Sequence, residues 1–183
     1  MKKRGSPLVL IQFILLLPAL NTGHSQAPND WGLRLNTNYS SHYTGGGDRA
    51  LLDGIRGNKD FRSPAWQGYL GVDLDVVVDL GRSRDLRSVS VGFLQDSGSW
   101  IFMPTEVEFW VAQDEANFRK AGTVENDLSP ERSGVHIEDF ALELGGDPIR
   151  FIRVIGRNRG FCPDQHPGAG QKAWVFADEI VIR

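Results

Sequence analysis

Apolar and polar residues alternate with a period of two in several segments of the chain. Such alternation is typical of strands that bury one face, and it is clear in Val89-Ser90-Val91 and over residues 107–111. No window of a dozen residues has a sustained helical stripe of apolar positions. The pattern predicts seven short strands, at residues 74–80, 86–94, 106–112, 118–124, 137–144, 149–155 and 174–182.

Seven short strands with turn residues between them predict an all-β fold, an antiparallel β-sandwich of the jelly-roll type. Residues 30–71 differ, because many glycines and Pro64 interrupt any apolar period there and indicate irregular backbone. The chain has no internal repeat and no low-complexity segment. We therefore predict one domain over residues 42–183, preceded by a linker over residues 26–41.

The first 25 residues have the pattern of a secretory signal peptide. A basic start, Lys2-Lys3-Arg4, precedes an apolar run over residues 8–20, and small residues at positions 23 and 25 suit cleavage after Ser25. The apolar run is shorter than the roughly 20 residues that a membrane span needs, and no second run follows. We expect an exported protein without a membrane span, located in the periplasm or outside the cell.

The charge balance excludes one class of partner. The 183 residues include 20 Lys and Arg against 23 Asp and Glu, a net charge of −3, and removal of the signal peptide with its three positive charges makes this −6. Proteins that bind the phosphate backbone normally carry a basic excess, so we expect no nucleic acid partner. The single cysteine, Cys162, permits no internal disulfide and does not lie at the cleavage position, where a lipid anchor would attach.

The sequence gives little indication of catalysis. The histidines lack the spacing of a zinc site, and Cys162, four residues before His166, is better interpreted as a partly buried loop thiol than as a nucleophile. Two carboxylates flanking a cleft would suffice for glycoside hydrolysis, and the 23 acidic residues leave that alternative open. We expect a protein that is not an enzyme, with a small glycosidase as the less favoured alternative.

Residues 50–60 form a candidate calcium loop. Their glycines allow backbone carbonyl oxygens to converge, and Asp53, Asn58 and Asp60 add side-chain oxygens. Oxygen ligands from a curled loop suit Ca²⁺. A solvated acidic turn has the same composition, so spacing alone leaves both interpretations open.

Five segments, taken in order, resemble a known family. They are YTGGGDRALLDGIRGNKDFRSPAWQGYLG at 43–71, VVDLG at 77–81, VSVGFLQDSGSW at 89–100, EVEFWV at 106–111 and AWVFADEIVI at 173–182. Together they resemble the discoidin domain, the coagulation factor five/eight type C fold, over residues 42–183. The sequence is most similar to family 32 carbohydrate-binding modules, in particular those at the C-terminal end of bacterial family 20 β-hexosaminidases.

The resemblance implies a structural Ca²⁺ ion between the early Asp-Gly loop and an acidic residue near the C-terminus. The matching side chains are Asp53 and Glu179, with backbone oxygens expected from Ala50 and from the segment that ends at Asn58. Residues 63–65 depart from the family pattern, because they lack the threonine usually found shortly before the tryptophan. Such an ion would tie the loop to the last strand.

The resemblance also implies a sugar site in the loops at one end of the sandwich. A pyranose needs a flat apolar surface for its C–H face and planar or charged groups for its hydroxyls. Alternatively, Trp100 caps the core and Arg157 pairs with Asp96 or Asp164. Two loops, 95–103 and 157–171, supply the candidate residues, which are Asp96, Trp100, Phe102, Arg157, Asn158, Arg159, Phe161 and His166.

The function that this resemblance implies is that of an exported, non-catalytic carbohydrate-binding module. It would recognise galactose- or N-acetylhexosamine-type glycans by aromatic stacking and hydrogen bonding, either alone as a lectin or beside a glycoside hydrolase partner from which it has been separated. A protein- or matrix-binding discoidin adhesion domain is the alternative, because the same loops serve protein recognition elsewhere in the superfamily and a fold does not fix a function.

Overall fold

The structure, a computed structural model, describes residues 30–183, which form nine β-strands and two short 3-10 helices. The helices are Ala50–Leu52 and Ser97–Ser99. In chain order, the strands are β1 (Gly32–Leu35), β2 (Gln67–Leu70), β3 (Leu74–Asp85), β4 (Ser88–Asp96), β5 (Glu106–Ala112), β6 (Arg119–Glu125), β7 (Val135–Glu143), β8 (Pro148–Gly156) and β9 (Trp174–Ile182).

The strands form two antiparallel sheets that share one hydrophobic core. One sheet has the order β1-β3-β8-β5-β6 and the other the order β2-β9-β4-β7. Alternate residues of each strand face inward, so that Val76 and Val78 of β3 share the core with Val89 and Val91 of β4. The predicted antiparallel β-sandwich is confirmed.

All seven predicted strands are present, and the largest difference is the end of β3. The alternation indicates an end at Leu80, but β3 continues to Asp85. Its pairing with β8 changes register between Asp79 and Arg84, and Gly81 adopts a φ of 73° at this irregularity. A bulge interrupts the period-two pattern without ending the strand.

Two strands lie where irregular backbone was predicted. β1 pairs with β3, with Gly32 opposite Asp79. Residues 32–35 therefore belong to the sandwich, whereas the prediction placed them in a linker over residues 26–41. β2 contains Gly68, where a Cβ atom would lie 2.7 Å from the Phe176 ring. Here the glycine permits a close approach between strand and side chain instead of breaking the strand.

The predicted signal peptide, residues 1–25, and its cleavage position lie outside the described residues. Within residues 30–183 no helix is long and apolar enough to cross a membrane.

The two ends of the sandwich differ. We call one the loop end, and it consists of residues 71–73, 97–105 and 157–173, which connect β2 to β3, β4 to β5 and β8 to β9. β9 starts there and finishes at the opposite end, where Arg183 N donates a hydrogen bond to Ser88 O (3.0 Å). β1 also starts away from the loop end, because it runs antiparallel to β3.

Candidate functional site

Trp100 is the most exposed tryptophan at the loop end and has an unusual backbone. It follows the 3-10 helix Ser97–Ser99 with a φ of 65°, and no other non-glycine residue of the described chain has a positive φ. Left-handed backbone costs about 1–2 kcal/mol in a residue with a Cβ atom. Hydrogen bonds hold this conformation, from Trp100 N to Ser97 O and from Trp174 N to Trp100 O, both 2.9 Å. The side chain is 39% exposed.

The indole of Trp100 packs against Gly168 of the facing loop. A Cβ atom on Gly168 would lie 2.8 Å from Trp100 Nε1 and 3.3 Å from His166 Nδ1. The rings of Trp100 and His166 therefore approach the same glycine, and only a residue without a side chain fits between them.

His166 connects the two loops that were predicted to form the site. Its Nδ1 accepts a hydrogen bond from Gly168 N (3.0 Å), so Nε2 carries the proton and donates to Ser97 O (2.8 Å). Neither nitrogen bonds to Cys162, which is buried, and burial raises the pKa of its thiol. A raised pKa disfavours the thiolate that a nucleophile needs, so the geometry supports the interpretation of Cys162 as a loop thiol.

Phe102 is a correction to the predicted sugar-binding set. Its side chain is 1% exposed and packs with Cys162 and Ala173, so it offers no open face to a sugar. The reason is that Phe102 N donates to Trp174 O (3.0 Å), which draws the residue into the sandwich. Phe102 instead supports the site, since the rings of Phe102 and His166 meet edge to face with centroids 5.4 Å apart.

Arg157 is held by carboxylates, as in the alternative interpretation, although its partners differ from those expected. Its Nη1 lies 2.8 Å from Asp73 Oδ2 and its Nη2 lies 2.8 Å from Glu108 Oε1. Desolvation opposes ionisation of Glu108, but hydrogen bonds from Arg157, Trp110 and Lys120 outweigh it and hold the pKa of Glu108 at about 2. All three donor nitrogens of Arg157 are engaged within the protein.

Asn158 shapes the loop from within. Its Nδ2 donates to Tyr69 O (3.2 Å) and Ala173 O (3.1 Å), and its Oδ1 accepts from Gly160 N (2.8 Å). These bonds use both donors of the Asn158 amide and leave one lone pair of Oδ1. Asp96 is partly exposed next to Trp100, and its Oδ2 accepts a hydrogen bond from Ser99 Oγ (2.7 Å).

Other apolar side chains are exposed at the loop end. Phe161 is 59% exposed, and Leu70 and Val72, which flank Gly71, are 38% and 40% exposed. Phe161 is among the residues predicted from the sequence, but Leu70 and Val72 are not, because aliphatic residues after a strand look like ordinary core positions. Arg159 lies nearby, with its Cζ 5.0 Å from the centroid of the buried Phe102 ring.

Replacing Gly168 with alanine is expected to displace the Trp100 ring, because the new methyl group would lie closer than 3.0 Å to it. We expect a changed tryptophan emission spectrum and at least a roughly tenfold weaker ligand affinity, the usual result of disturbing a central aromatic contact. Gly98→Ala is the control, since a Cβ atom there meets only Asp96 Oδ1, at 3.6 Å. Equal spectra for both variants would contradict the expectation.

The carboxylates predicted to hold calcium lie in one partly buried cluster, away from the loop end. Glu179 Oε2 accepts a hydrogen bond from Gly54 N (3.0 Å), and Asp53 Oδ1 accepts one from Ile55 N (2.8 Å). Desolvation raises the pKa of Glu179 to about 8, and the charges of Asp53 and Asp178 contribute. Desolvation also raises the pKa of Asp53. A positive charge beside these carboxylates would lower both pKa values.

The other predicted calcium ligands have structural roles. Asn58 Oδ1 accepts from Asp60 N (2.8 Å) and Asn58 O from Trp66 Nε1 (2.9 Å). Ala50 is buried at the start of the 3-10 helix that contacts β9. Residues 30–183 contain no group of three or more His, Cys, Asp or Glu side chains arranged to hold a metal. Backbone oxygens would therefore have to complete the shell around Asp53 and Glu179.

Comparisons with known proteins give structural matches alone. No family model and no curated protein matches the chain. Module CpGH89CBM32-5 of Clostridium perfringens, solved with GalNAc-β-1,3-galactose, has a TM-score of 0.54 at 15% identity, with 86% of this chain and 97% of that chain covered. The chain has the fold of family 32 carbohydrate-binding modules.

Two further modules have the same fold. Chitosan-binding module 1, from a chitosanase/glucanase of Paenibacillus sp. IK-5, has a TM-score of 0.53 at 15% identity, with 88% of this chain and 99% of that chain covered. CpGH89CBM32-4 of Clostridium perfringens, solved with GlcNAc-α-1,4-galactose, has a TM-score of 0.52 at 11% identity, with 88% and 96% covered. The predicted discoidin-like architecture is thus confirmed as that of the family 32 modules.

Proposed function

We propose that this protein is an exported, non-catalytic carbohydrate-binding module for galactose- or N-acetylhexosamine-type glycans. The observation that carries the proposal is the exposed ring of Trp100, which strained backbone holds at the loop end. Strain of this kind concentrates at functional sites, where the surrounding structure maintains it. The C–H face of a pyranose packs on such a ring, and the carboxylate of Asp96 nearby would bind hydroxyls.

The similar modules support this proposal. Two of them are solved with disaccharides that contain galactose and an N-acetylhexosamine, and a third is named for binding chitosan. The binding event would be stacking and hydrogen bonding, with no bond broken. A shallow site at one end of a small domain gives weak affinity, so strong attachment would need several copies or a glycoside hydrolase partner that adds its own contacts.

Titration of the purified protein with galactose, N-acetylgalactosamine and N-acetylglucosamine tests the proposal. Tryptophan fluorescence should change saturably with at least one of these sugars, because Trp100 would become covered. Circular dichroism on the same sample establishes that the protein is folded. A folded protein that responds to none of the sugars would contradict the proposal.

A protein or matrix partner is the second candidate, and one observation favours it. Leu70 and Val72 expose aliphatic surface near Phe161, and such surface suits an apolar protein contact better than it suits a sugar. A blank glycan array, together with a protein captured by the wild type and not by a Leu70→Ser/Val72→Ser variant, would favour this candidate.

The acidic cluster of Asp53 and Glu179 is proposed as a structural calcium site, with backbone oxygens from the region of Ala50 and Asn58. Bound calcium would neutralise two carboxylates whose ionisation is otherwise opposed by burial. An ion that binds only to the folded state stabilises that state. We expect added Ca²⁺ to raise the melting temperature of the metal-free protein and to have little effect on Asp53→Asn. Asp127→Asn, which changes an exposed acid elsewhere, should respond like the wild type.

Without calcium, Glu179 should make stability depend on pH. Its pKa is raised from 4.5 to about 8 in the folded state, so the folded protein holds its proton more tightly than the unfolded chain does. The contribution of Glu179 to stability is therefore fully present below pH 4.5 and is lost as the pH rises towards 8, by up to about 1.4 kcal/mol per pH unit. Urea unfolding at several pH values measures this. A Glu179→Gln variant should have a smaller slope, because Asp53 and Asp178 also have raised pKa values, and an unchanged slope would refute the assignment.

A further inference from the structure

The cations at the loop end are not equivalent. Arg157 is neutralised by Asp73 and Glu108. Arg159, by contrast, has no ion pair among residues 30–183, and its one hydrogen bond runs from Nε to Phe161 O (3.2 Å). Its two terminal nitrogens have no partner within this part of the chain.

The position of Arg159 is partly buried. Its guanidinium lies over the Phe102 ring, with Cζ 5.0 Å from the centroid, and desolvation lowers the pKa of this group. An arginine remains charged under all ordinary conditions, so this positive charge has lost part of its hydration without gaining a carboxylate. An anion placed beside the Arg159 guanidinium would compensate for the lost hydration.

Arg159 contacts the aromatic groups of the loop end. It packs on Phe102, whose ring also contacts His166, and His166 and Trp100 both approach Gly168. These contacts connect Arg159 to Trp100 through Phe102 and His166.

The remaining charges at the loop end leave this guanidinium available. Lys172 is exposed and forms no ion pair in the described chain, and its stem packs over Gly71. Asp96, the acid beside Trp100, directs Oδ2 to Ser99, and Asp164 is exposed without an ion pair to Arg159. Arg159 and Lys172 are thus the cations of the loop end that have no carboxylate partner within residues 30–183.

We propose that the sugar bound at the loop end is acidic, with its carboxylate or sulfate paired to Arg159 while the pyranose ring packs on Trp100. This inference rests on the proposed function and specifies its ligand. The planar fork of a guanidinium matches a carboxylate or a sulfate with two parallel hydrogen bonds. Galacturonate fits both requirements, since it keeps the ring configuration of galactose and replaces the C6 hydroxymethyl group with a carboxylate.

Parallel titrations with galactose, galacturonate and galactose 6-sulfate test the inference. We expect at least one acidic sugar to bind about tenfold or more tightly than galactose, the effect of one charge-assisted contact, and we expect high salt to reduce the difference. The better of the two acidic sugars identifies the anionic group, and either result supports the inference.

Variants separate the role of Arg159 from a general effect of charge. Arg159→Gln should remove the preference for the acidic sugar over galactose, whereas Arg159→Lys should keep part of that preference. Arg132→Gln is the matched control, because Arg132 is exposed on another loop without an ion pair in the described chain.

Three results would overturn the inference, and they differ in what they mean for the proposed function. Equal affinity for galactose and both acidic sugars would leave the sugar site standing and refute its acidic ligand. An Arg159→Gln variant that weakens all sugars equally would make Arg159 a hydroxyl-binding group, with the same consequence. A folded protein that binds none of the sugars would remove both proposals.

Discussion

Replacing Arg56 with alanine is expected to lower the free energy of unfolding by about 3–5 kcal/mol, the usual result of removing one partner of a buried ion pair. Arg56 Nε lies 3.0 Å from Asp178 Oδ2, and the Asp178 side chain is 0% exposed. Two backbone amides also donate hydrogen bonds to the Asp178 carboxylate, from Gly57 N to Oδ2 (2.9 Å) and from Glu179 N to Oδ1 (2.6 Å). The variant would leave this carboxylate buried without a counter-ion.

The dependence of this loss on pH is a sharper test than its size. Burial already raises the pKa of Asp178, and the charge of Arg56 opposes that increase. Without Arg56 the carboxyl group should remain protonated to higher pH, so the loss should be small in acid and should grow as the pH rises and the unfolded chain ionises. Urea unfolding at several pH values, with Asp178→Asn as a second variant, measures this.

Arg62→Ala is the matched control for Arg56→Ala. Arg62 lies in the same loop, but its side chain is 74% exposed and its nitrogen lies 3.6 Å from Asp60. An exposed pair contributes at most about 1 kcal/mol, so this variant should unfold nearly as the wild type does. Similar losses for Arg56→Ala and Arg62→Ala would show that the buried pair has no special role.

Two substitutions of Trp100 should separate binding from stability. Both Trp100→Ala and Trp100→Gly are expected to weaken sugar binding by about tenfold or more, because each removes the ring on which the sugar packs. The two variants should differ in stability, with Trp100→Gly the more stable by about 1 kcal/mol, because glycine adopts a φ of 65° without a steric penalty. Calorimetric titration and urea unfolding measure the two quantities.

The control for these variants is a tryptophan away from the loop end. Trp110 on β5 is partly exposed and donates from Nε1 to Glu108 Oε2 (2.9 Å). Trp110→Phe should leave sugar binding unchanged. Unaltered affinity in Trp100→Ala would refute the assigned site, and Trp100→Gly no more stable than Trp100→Ala would show that the backbone carries no strain.

The sequence predicts the sandwich well because strands with one buried face impose a period of two. It predicts the site less well, since side-chain direction in a loop depends on partners far away in the chain. Trp100 and Phe102 are two residues apart and look equivalent, yet the hydrogen bond from Phe102 N to Trp174 O buries one ring and the left-handed backbone exposes the other.

Arg157 illustrates the same limit. Its partner Glu108 lies on β5, next to β8, and the alternation along each strand does not specify which strands are neighbours. Arg159, by contrast, lies in the loop beyond β8, where no adjacent strand places a carboxylate beside it. Sheet order therefore explains why Arg157 is held in ion pairs, whereas Arg159, two residues later, is not.

The direction of the first and last strands determines how the molecule presents its loops. β1 starts and β9 finishes at the end of the sandwich opposite Trp100. At either position the chain could be joined to a cell-surface tether, a neighbouring domain or a second copy of the module. The loop end with Trp100 would then point away from the attachment. Several copies arranged in this way would face a polysaccharide together, so that the spacing between copies would add to the selection made by each site.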